Sequence, residues 1–314
     1  MSEPIKNRYD FVFFFDVKDG NPNGDPDQVN LPRIDTEDQR GIVTDVCIKR
    51  KVRNYVALNG GLKSPHDIFI RQRDIADDDS FLNALIAKAE GTTTQAKRGS
   101  LCKDYWDIRA FGAVLSTGES ESSESSDETE EGAKKKSPKK KVKGGGTVRG
   151  PVQFTFSRSE DRIYQAEHSI TRCCVTTEKE RDKQLANERE FASTFGRKAT
   201  VPYAMYRMHG FVSAVDAAKT KFSEEDLQLL WKSLINAFEH DRAAARGEMN
   251  PRKLVIFKHN SHLGNELSGR LFERVTVTKM SNLPRSKDDY LIEVNKDQIP
   301  SGIEIKVWPE ESVY

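Results

Sequence analysis

Runs of apolar residues predict strands along this chain, and apolar residues at helical spacing predict helices. The clearest run lies near the N-terminus, where Tyr9–Phe15 is almost uninterrupted apolar sequence. The predicted strands are Tyr9–Val17, Val152–Ser157, Tyr203–Val215, Leu254–Lys258, Val275–Met280, Tyr290–Val294 and Ile303–Trp308. The predicted helices are Thr44–Leu58, Asp79–Ala89 and Glu224–His240. Because strands and helices are interleaved at uneven spacing, the pattern indicates an α+β fold with an antiparallel sheet.

The helix Glu224–His240 has the strongest local signals. Ser223 is placed to cap its first turn, with Asp226 three residues later. Its apolar residues form a single stripe, which predicts a face buried in the core. The stripe consists of Leu227, Leu230, Trp231, Leu234, Ile235 and Phe238. A ferredoxin-like sheet of the RNA-recognition-motif type, with this helix packed on it, fits the pattern.

One segment interrupts the globular pattern. Ser116–Gly146 reads STGESESSESSDETEEGAKKKSPKKKVKGGG, with seven acids between Glu119 and Glu131 and seven lysines between Lys134 and Lys143. Such a composition cannot bury enough apolar surface to offset the entropy lost on ordering, so a disordered loop is predicted. It is a tolerated surface insertion or a lysine-rich tail that touches nucleic acid. We place this flexible insertion at 116–149, within a single elaborated domain over 1–314.

Composition excludes several classes of protein. The 50 basic and 49 acidic residues leave a net charge of +1, so only local patches of charge can indicate a partner. Cys47, Cys102, Cys173 and Cys174 contain no C-x-x-C pair, so a zinc site is not predicted. Without a signal peptide or an apolar run of about 18–20 residues, we expect a cytoplasmic protein with reduced thiols and no membrane partner.

A turn-rich loop and a basic helix follow the first strand. Asn21-Pro22-Asn23-Gly24-Asp25-Pro26 is rich in residues that favour turns. In the next helix, Lys49 and Arg53 lie one turn apart beside the apolar face, with Arg50 further round and Lys51 predicted to be solvated. The loop is either an ordinary connection or, together with these cations, a surface that follows a phosphate backbone.

Two further patches could contact a nucleic acid. Arg109 and Arg149 lie near the two roots of the insertion, beside aromatic residues that are either core or base-stacking platforms. In the patch Thr171–Arg207, the polar middle Thr176–Glu190 is predicted to project or to stay mobile, and Arg197 and Lys198 beyond it could grip a nucleic-acid strand. An ordinary hairpin with a solvated tip is the alternative.

Known enzyme signatures are absent from the sequence. There is no phosphate loop, H-E-x-x-H, G-x-S-x-G or dinucleotide-binding turn, so no cofactor is predicted. His259 and His262 have loose metal-ligand spacing, but a structural role is favoured because no third ligand accompanies them. Acids around the loop could hold Mg²⁺ or assist hydrolysis, although solvated turn acids are the default. These acids are Asp16, Asp25, Asp27 and Asp35.

Four motifs, in this order, carry a resemblance to a known family. They are NPNGDPDQVNLPRIDTEDQRGIVTDVCIKRKVRNYV, DIRAFGAVL, VRGPVQFTFSRS and FGRKATVPYAMYRMHGFVSA. They resemble the backbone subunit of type I-C CRISPR surveillance complexes (Cascade), which belongs to the Cas-seven family of the RAMP superfamily. The resemblance runs over almost the whole chain. The tract Glu119–Lys143 departs from it, because it is longer and more biased in composition than the linker usual there.

The resemblance implies a fold and a function. Such subunits have an RNA-recognition-motif-like palm, a helical finger region and a protruding thumb, which here is the arm 171–203. Several copies polymerise along the spacer of a CRISPR RNA (crRNA), and each thumb kinks the RNA and flips out a base. RNA-backbone contacts are then expected at Asn21, Asn23, Arg33, Lys49, Arg50, Arg53, Arg109, Arg149, Arg197 and Lys198. Sequence specificity comes from pairing between guide and target.

The resemblance also implies partners and the absence of catalysis. The partners are crRNA, target DNA, further copies of the chain, a handle-binding endoribonuclease subunit, a large subunit, a small subunit and a recruited nuclease-helicase. Asp16 and Asp25 would not be catalytic, because type I relatives do not cut. The alternative is a RAMP endoribonuclease that cleaves precursor or target RNA with an acid such as Asp35, since type III relatives with the same palm cut target RNA.

Overall fold

A computed structural model describes residues 3–115, 146–187 and 194–310. The predicted disordered tract lies outside these residues, apart from its last residue, Gly146. The strands are β1 (Tyr9–Gly20), β2 (Gly24–Asp25), β3 (Leu31–Pro32), β4 (Arg40–Val43), β5 (Gly112–Leu115), β6 (Gly146–Arg149), β7 (Val152–Phe154), β8 (Ser157–Arg162), β9 (Ala166–Arg172), β10 (Thr194–Val212), β11 (Glu248–His259), β12 (Val275–Lys279), β13 (Tyr290–Val294) and β14 (Ile303–Trp308). The helices are α1 (Asp45–Gly60), α2 (Leu82–Lys88), α3 (Thr94–Asp104), α4 (Trp106–Phe111), α5 (Glu178–Ala186), α6 (Ala214–Thr220), α7 (Glu224–Ile235) and α8 (Ser268–Phe272).

The chain forms two compact units. The helical unit comprises Met1–Lys6, Val56–Gln153 and Val212–Leu230, and the sheet unit comprises Asn7–Tyr55, Phe154–Phe211 and Trp231–Tyr314. The helical unit buries apolar side chains in a core of its own. That core includes Phe69, Leu85, Ile86, Leu101, Cys102, Ile108, Leu115 and Val148.

A large sheet organises the sheet unit. Its strand order is β14-β11-β1-β10-β8-β4, and β9 also pairs with β10. The β1–β11 pair is antiparallel and runs from Tyr9↔Lys258 to Lys18↔Glu248. Because β1 lies inside the sheet, all its residues from Tyr9 to Val17 are buried.

Alternation along β1 fills a core on each face of the sheet. Phe15 stacks on Tyr206 with ring centroids 5.3 Å apart and also packs against Phe238 at 5.2 Å. Val12 and Phe14, on the opposite face, join an apolar cluster with residues of α8, β12 and β13. Every predicted strand that begins after residue 250 is observed, and the structure extends the first of them to Glu248–His259.

The helix predicted at Glu224–His240 is observed as α7, which ends earlier, at Ile235. Its predicted cap is confirmed, because the Asp226 N–H donates to Ser223 Oγ at 3.3 Å. The Ser223 N–H in turn donates to Asp226 Oδ2 at 3.1 Å. The predicted stripe is also confirmed as core: Leu227, Leu230 and Leu234 are fully buried.

Other element boundaries were wrong. The strand predicted at Tyr203–Val215 begins at Thr194 and ends at Val212, because Ser213 caps α6 by accepting from the Asp216 N–H. The segment Val152–Ser157 is divided between β7 and β8. Helices α3 and α5 were not predicted, because α3 buries few apolar side chains and α5 buries none.

Candidate nucleic-acid interface

The loop after β1 is built by its own asparagine side chains. Asn23 Oδ1 accepts from both the backbone N–H and the hydroxyl of Thr44, each at 3.0 Å, just before α1 begins. Asn21 is buried and donates from Nδ2 to the Asn30 carbonyl at 2.7 Å. Both side chains were predicted to contact RNA; in the structure Asn23 holds the loop to the start of the basic helix, and Asn21 holds the loop to Asn30.

The same loop needs glycine at position 24. A Cβ atom there would lie 1.9 Å from Asn30 Oδ1, so any larger residue would displace the Asn30 side chain. Arg33, which directly follows β3, has Nη2 3.5 Å from Asp25 Oδ1 and keeps 30% of its side chain exposed. The loop therefore carries a cation on a backbone held by internal hydrogen bonds.

The cations of α1 differ in their availability to a ligand. Lys49 forms an ion pair with Asp45 at 2.9 Å, lies over the Phe154 ring at 5.9 Å and has only 13% of its side chain exposed. Arg53 is half-buried, whereas Arg50 is exposed. Of the three, Arg50 is thus the best placed to meet a phosphate in solvent.

Lys51 was predicted to be solvated, and this was wrong. Its side chain is 2% exposed and forms an ion pair with Asp241, which also pairs with Arg246. Burial, with smaller contributions from the neighbouring cations, lowers the pKa of Lys51 to about 8. The Asp241–Arg246 loop reaches the turn after β1, because the Asn21 N–H donates to the Ala245 carbonyl at 2.7 Å. Lys51 therefore anchors a loop that supports the candidate interface.

The aspartates near the loop have separate structural partners. Asp16 is buried and accepts from Tyr203 Oη at 2.9 Å and Arg252 Nε at 2.7 Å. Burial, followed by this carboxylate, raises the pKa of Tyr203. Asp25 caps the following turn by accepting from the Asp27 N–H at 3.2 Å. Within the described parts of the chain, no group of three or more His, Cys, Asp or Glu residues could hold a metal ion.

Asp35 is held by an arginine. Its Oδ2 lies 2.7 Å from Arg158 Nη1, and the Glu37 N–H donates to Oδ1 at 3.1 Å. These bonds, led by the one from Arg158, lower the pKa of Asp35. A carboxylate stabilised in this way is a weak proton acceptor.

Arg109 is a structural residue of the helical unit. Its Nε and Nη2 donate to the two carboxylate oxygens of Asp226 at 3.0 and 2.8 Å. The remaining N–H groups donate to the carbonyls of Cys102, Lys103 and Pro65. With 4% of its side chain exposed and all five donors used, Arg109 has none left for RNA, and it is not among the contacts we propose.

The aromatic residues beside Arg109 are confirmed as core. Trp106 is fully buried, and Phe111 packs edge-on against it at 5.7 Å. Strands β5 and β6, which flank residues 116–145 along the chain, pair antiparallel with Gly112 opposite Arg149. Arg149 is 79% exposed and 3.5 Å from Asp216 Oδ2. It is thus available at the root of the insertion.

The arm presents its two cations on opposite faces. β9 and β10 pair antiparallel, with Arg197 opposite Ser169 and Lys198 opposite His168. Because neighbouring strand residues point to opposite faces, a single ligand strand cannot meet both side chains on one face. Arg197 is 83% exposed and shares its face with Phe195, which is 71% exposed. Lys198 is half-buried.

His209, on β10, was not singled out by any sequence pattern. Its ring stacks on Phe272 with centroids 4.2 Å apart, and its Nε2 accepts from Arg207 Nε at 3.0 Å. Burial, followed by the charge of Arg207, lowers the pKa of His209 to about 4. His259, the other histidine considered above, is confirmed as structural, since its ring nitrogens contact Asp10 Oδ2 at 3.0 Å and the Asn265 N–H at 2.8 Å.

Because His209 is neutral in the folded protein, the free energy of unfolding depends on pH. A histidine with a pKa near 6.5 in the unfolded chain stabilises the fold fully above that pH, and the contribution is lost as pH falls towards 4. After allowance for solvent screening, we expect about 1–2 kcal/mol to be lost between about pH 7 and pH 5. Urea unfolding of the wild type and His209→Gln at both pH values measures the difference. An equal loss in the variant would contradict this prediction.

Comparison with known proteins identifies the family. The family model described as CRISPR-associated protein Cas7 matches residues 7–295. The protein is therefore a CRISPR-associated protein, and the chain belongs to the Cas7 family. A curated relative, "CRISPR-associated protein Cas7" of Haloferax volcanii, is 25% identical over 240 residues. This similarity covers 73% of the present chain and 65% of the relative.

Two solved structures are similar in part. A chain of a "CRISPR RNA-guided surveillance complex, pre-nicking" is 13% identical, with a TM-score of 0.46, and 80% of this chain and 78% of that one are covered. A chain of a "CRISPR RNA-guided surveillance complex" is 12% identical, with a TM-score of 0.40 and coverage of 80% and 68%. Within residues 3–115, 146–187 and 194–310, no helix combines the length and apolar character that a membrane span requires.

Proposed function

We propose that this Cas7-family chain is the non-catalytic backbone subunit of a type I-C CRISPR surveillance complex. Several copies polymerise along the spacer of one crRNA, bind its phosphates and leave its bases free to pair with target DNA. The other partners are the handle-binding endoribonuclease, large and small subunits and a recruited nuclease-helicase. The family match over residues 7–295 carries this proposal.

The order of the elements supports an RNA-recognition-motif-like palm. Along the chain, β1, α1, β8, β10, α7 and β11 follow the β-α-β-β-α-β order of ferredoxin-like folds. Four of these strands are neighbours in the sheet, in the order β11-β1-β10-β8. In this proposal β9 and the first half of β10 form the thumb, and the helical unit includes the finger region.

The site chemistry supports recognition of the RNA backbone. Arg33 lies in the loop that Asn23 holds, and Arg50 and Arg53 lie on α1, the helix to which that loop is joined. Cations of this kind bind phosphates whatever the base, so pairing can supply the sequence specificity. The net charge of +1 is compatible with such a local patch, because acidic surfaces elsewhere balance it.

The number of copies bound to RNA tests the proposal. Purified protein is mixed with CRISPR RNAs whose spacers increase in length, and the mass of each complex is measured by native mass spectrometry. We expect the number of bound copies to rise in steps of constant spacer length, because each subunit covers a fixed length of backbone. A number that does not change with length, or that grows without a fixed spacing, would contradict the proposal.

The same mixtures separate this function from an endoribonuclease. Labelled guide precursor and complementary RNA are added with and without Mg²⁺, and both are expected to remain intact because Arg158 holds Asp35. Specific cleavage that Asp35→Ala abolishes would support the nuclease instead. Asp38→Ala is the matched control, because Asp38 lies in the same loop and 3.8 Å from Arg158 Nη1.

A further inference from the structure

The helical unit contains a second basic site, whose cations are not among the predicted RNA contacts. A pocket of about 680 Å³ lies between α3 and the end of α6. This volume falls in the range of ligand sites in proteins. The pocket is lined by Thr94, Gln95, Arg98, Gly99, Cys102, Ala218, Lys219, Thr220 and Lys221. We call it the α3–α6 pocket.

The charges around the α3–α6 pocket favour an anion. Arg98, Lys219 and Lys221 line it, and none of the described lining residues is acidic. Lys219 is 66% exposed and pairs with Asp216 at 2.9 Å. Asp216 also lies near Arg149, so the charge of this one carboxylate is shared between two cations.

The start of α3 adds a second source of positive potential. Thr94 and Gln95 are the first two residues of this 11-residue helix, and both line the pocket. The first N–H groups of a helix have no partner within the helix, and the helix dipole places partial positive charge there. Because a cavity, three cations and a helix N-terminus coincide, the site suits phosphate groups.

We propose that the α3–α6 pocket binds phosphodiester groups of a nucleic-acid strand other than the guide RNA. None of the described lining residues is aromatic, so among them no side chain can stack on a base, and the strand is held by its backbone. The proposal rests on the proposed function in one respect: it takes the guide RNA to be bound elsewhere on the protein. The complementary DNA strand is the probe that tests it.

Lys221 allows the charge to be removed without loss of the fold. It has φ +65° at the end of α6, a left-handed conformation that asparagine adopts more readily than lysine. Lys221→Asn should therefore keep or raise the melting temperature. Combined with Lys219→Gln, it removes two of the three cations that line the pocket. Lys63→Asn, an exposed lysine of the same unit outside the pocket, is the matched control.

The experiment titrates complementary single-stranded DNA into guide-loaded protein over a range of salt. In Lys219→Gln/Lys221→Asn we expect DNA affinity to fall about three- to tenfold and the slope of log affinity against log salt to flatten by about 0.7 for each lost phosphate contact. Guide RNA affinity should stay within about twofold, because the guide is bound elsewhere. The Lys63→Asn control should behave as wild type.

Three outcomes would overturn the proposal. One is unchanged DNA affinity and salt slope in the double variant. Another is a loss of guide binding that equals the loss of DNA binding, since the pocket would then lie on the guide's path. In the third, inorganic phosphate raises the melting temperature of the wild type but not of the double variant, while the two proteins bind DNA with equal affinity. The pocket would then be a site for free phosphate.

A failure of the proposed function remains distinguishable. If no stepwise assembly on RNA forms, single-stranded DNA is titrated into the free wild type and the double variant. Weaker binding by the variant would retain the α3–α6 pocket as a nucleic-acid site while removing the filament function. Equal binding would reject both.

Discussion

Replacing Arg109 with methionine should lower the free energy of unfolding by about 3–5 kcal/mol. The change leaves the Asp226 carboxylate buried without its bidentate partner, and it strips donors from the carbonyls of Cys102, Lys103 and Pro65. Chemical unfolding followed by circular dichroism measures the loss. Arg109→Lys should recover little, because one ammonium group cannot reproduce five donors in a planar fork.

A second variant separates buried charge from lost packing. Arg109→Met/Asp226→Asn should be more stable than Arg109→Met, because the uncharged amide costs less to bury alone and can still accept from the Ser223 N–H. The exposed Arg149→Ala is the control and should change stability little. If Arg109→Met has near-normal stability and binds RNA more weakly, Arg109 contacts RNA and the structural role is contradicted.

Arg109 and Lys51 show what local sequence could not predict. Arg109 was predicted to contact RNA and Lys51 to be solvated, yet both are buried and form ion pairs with acids far along the chain. Asp226 is 117 residues from Arg109, and Asp241 is 190 residues from Lys51. The burial of a charged side chain depends on whether the fold supplies such a partner. The pattern of apolar residues within one segment cannot predict a partner that lies more than a hundred residues away.

The apolar patterns were informative because they report burial directly. The stripe of α7 and the run of β1 are dense enough that only a core placement accounts for them, and both are observed there. α3 shows the limit, because its few apolar residues do not form a continuous stripe. A helix of that kind is fixed by tertiary contacts rather than by its own pattern.

Arg197 and Lys198 point to opposite faces because successive side chains alternate along a strand. This arrangement was missed because the strand was predicted to start at Tyr203, whereas β10 starts at Thr194. The segment Thr194–Pro202 lacks a long apolar run, since within this part of β10, which pairs with β9, only Thr200 and Val201 are buried. Each cation of the arm must therefore be tested alone rather than as a pair.

The largest effect on RNA binding is expected from Arg50→Gln combined with Arg53→Gln. Both residues lie on α1, after the Thr44 contact through which Asn23 holds the loop, so the double variant removes positive charge while that contact is kept. On the shortest RNA that binds one copy, affinity should fall about tenfold or more, which corresponds to at least about 1.4 kcal/mol. The salt slope should flatten by about 0.7 for each lost phosphate contact.

Two comparisons make this prediction specific to the basic helix. Lys49→Gln should have a smaller effect, because Asp45 already neutralises Lys49 and only 13% of its side chain is exposed. Arg270→Gln, which removes an exposed cation of the same unit outside the candidate interface, should leave affinity and slope unchanged.

If Arg50→Gln/Arg53→Gln weakens binding with an unchanged salt slope, the two arginines act through the fold rather than on phosphates. An effect of Arg270→Gln as large as theirs would show that net charge, rather than this surface, determines RNA affinity, because removing any cation lowers the overall attraction equally.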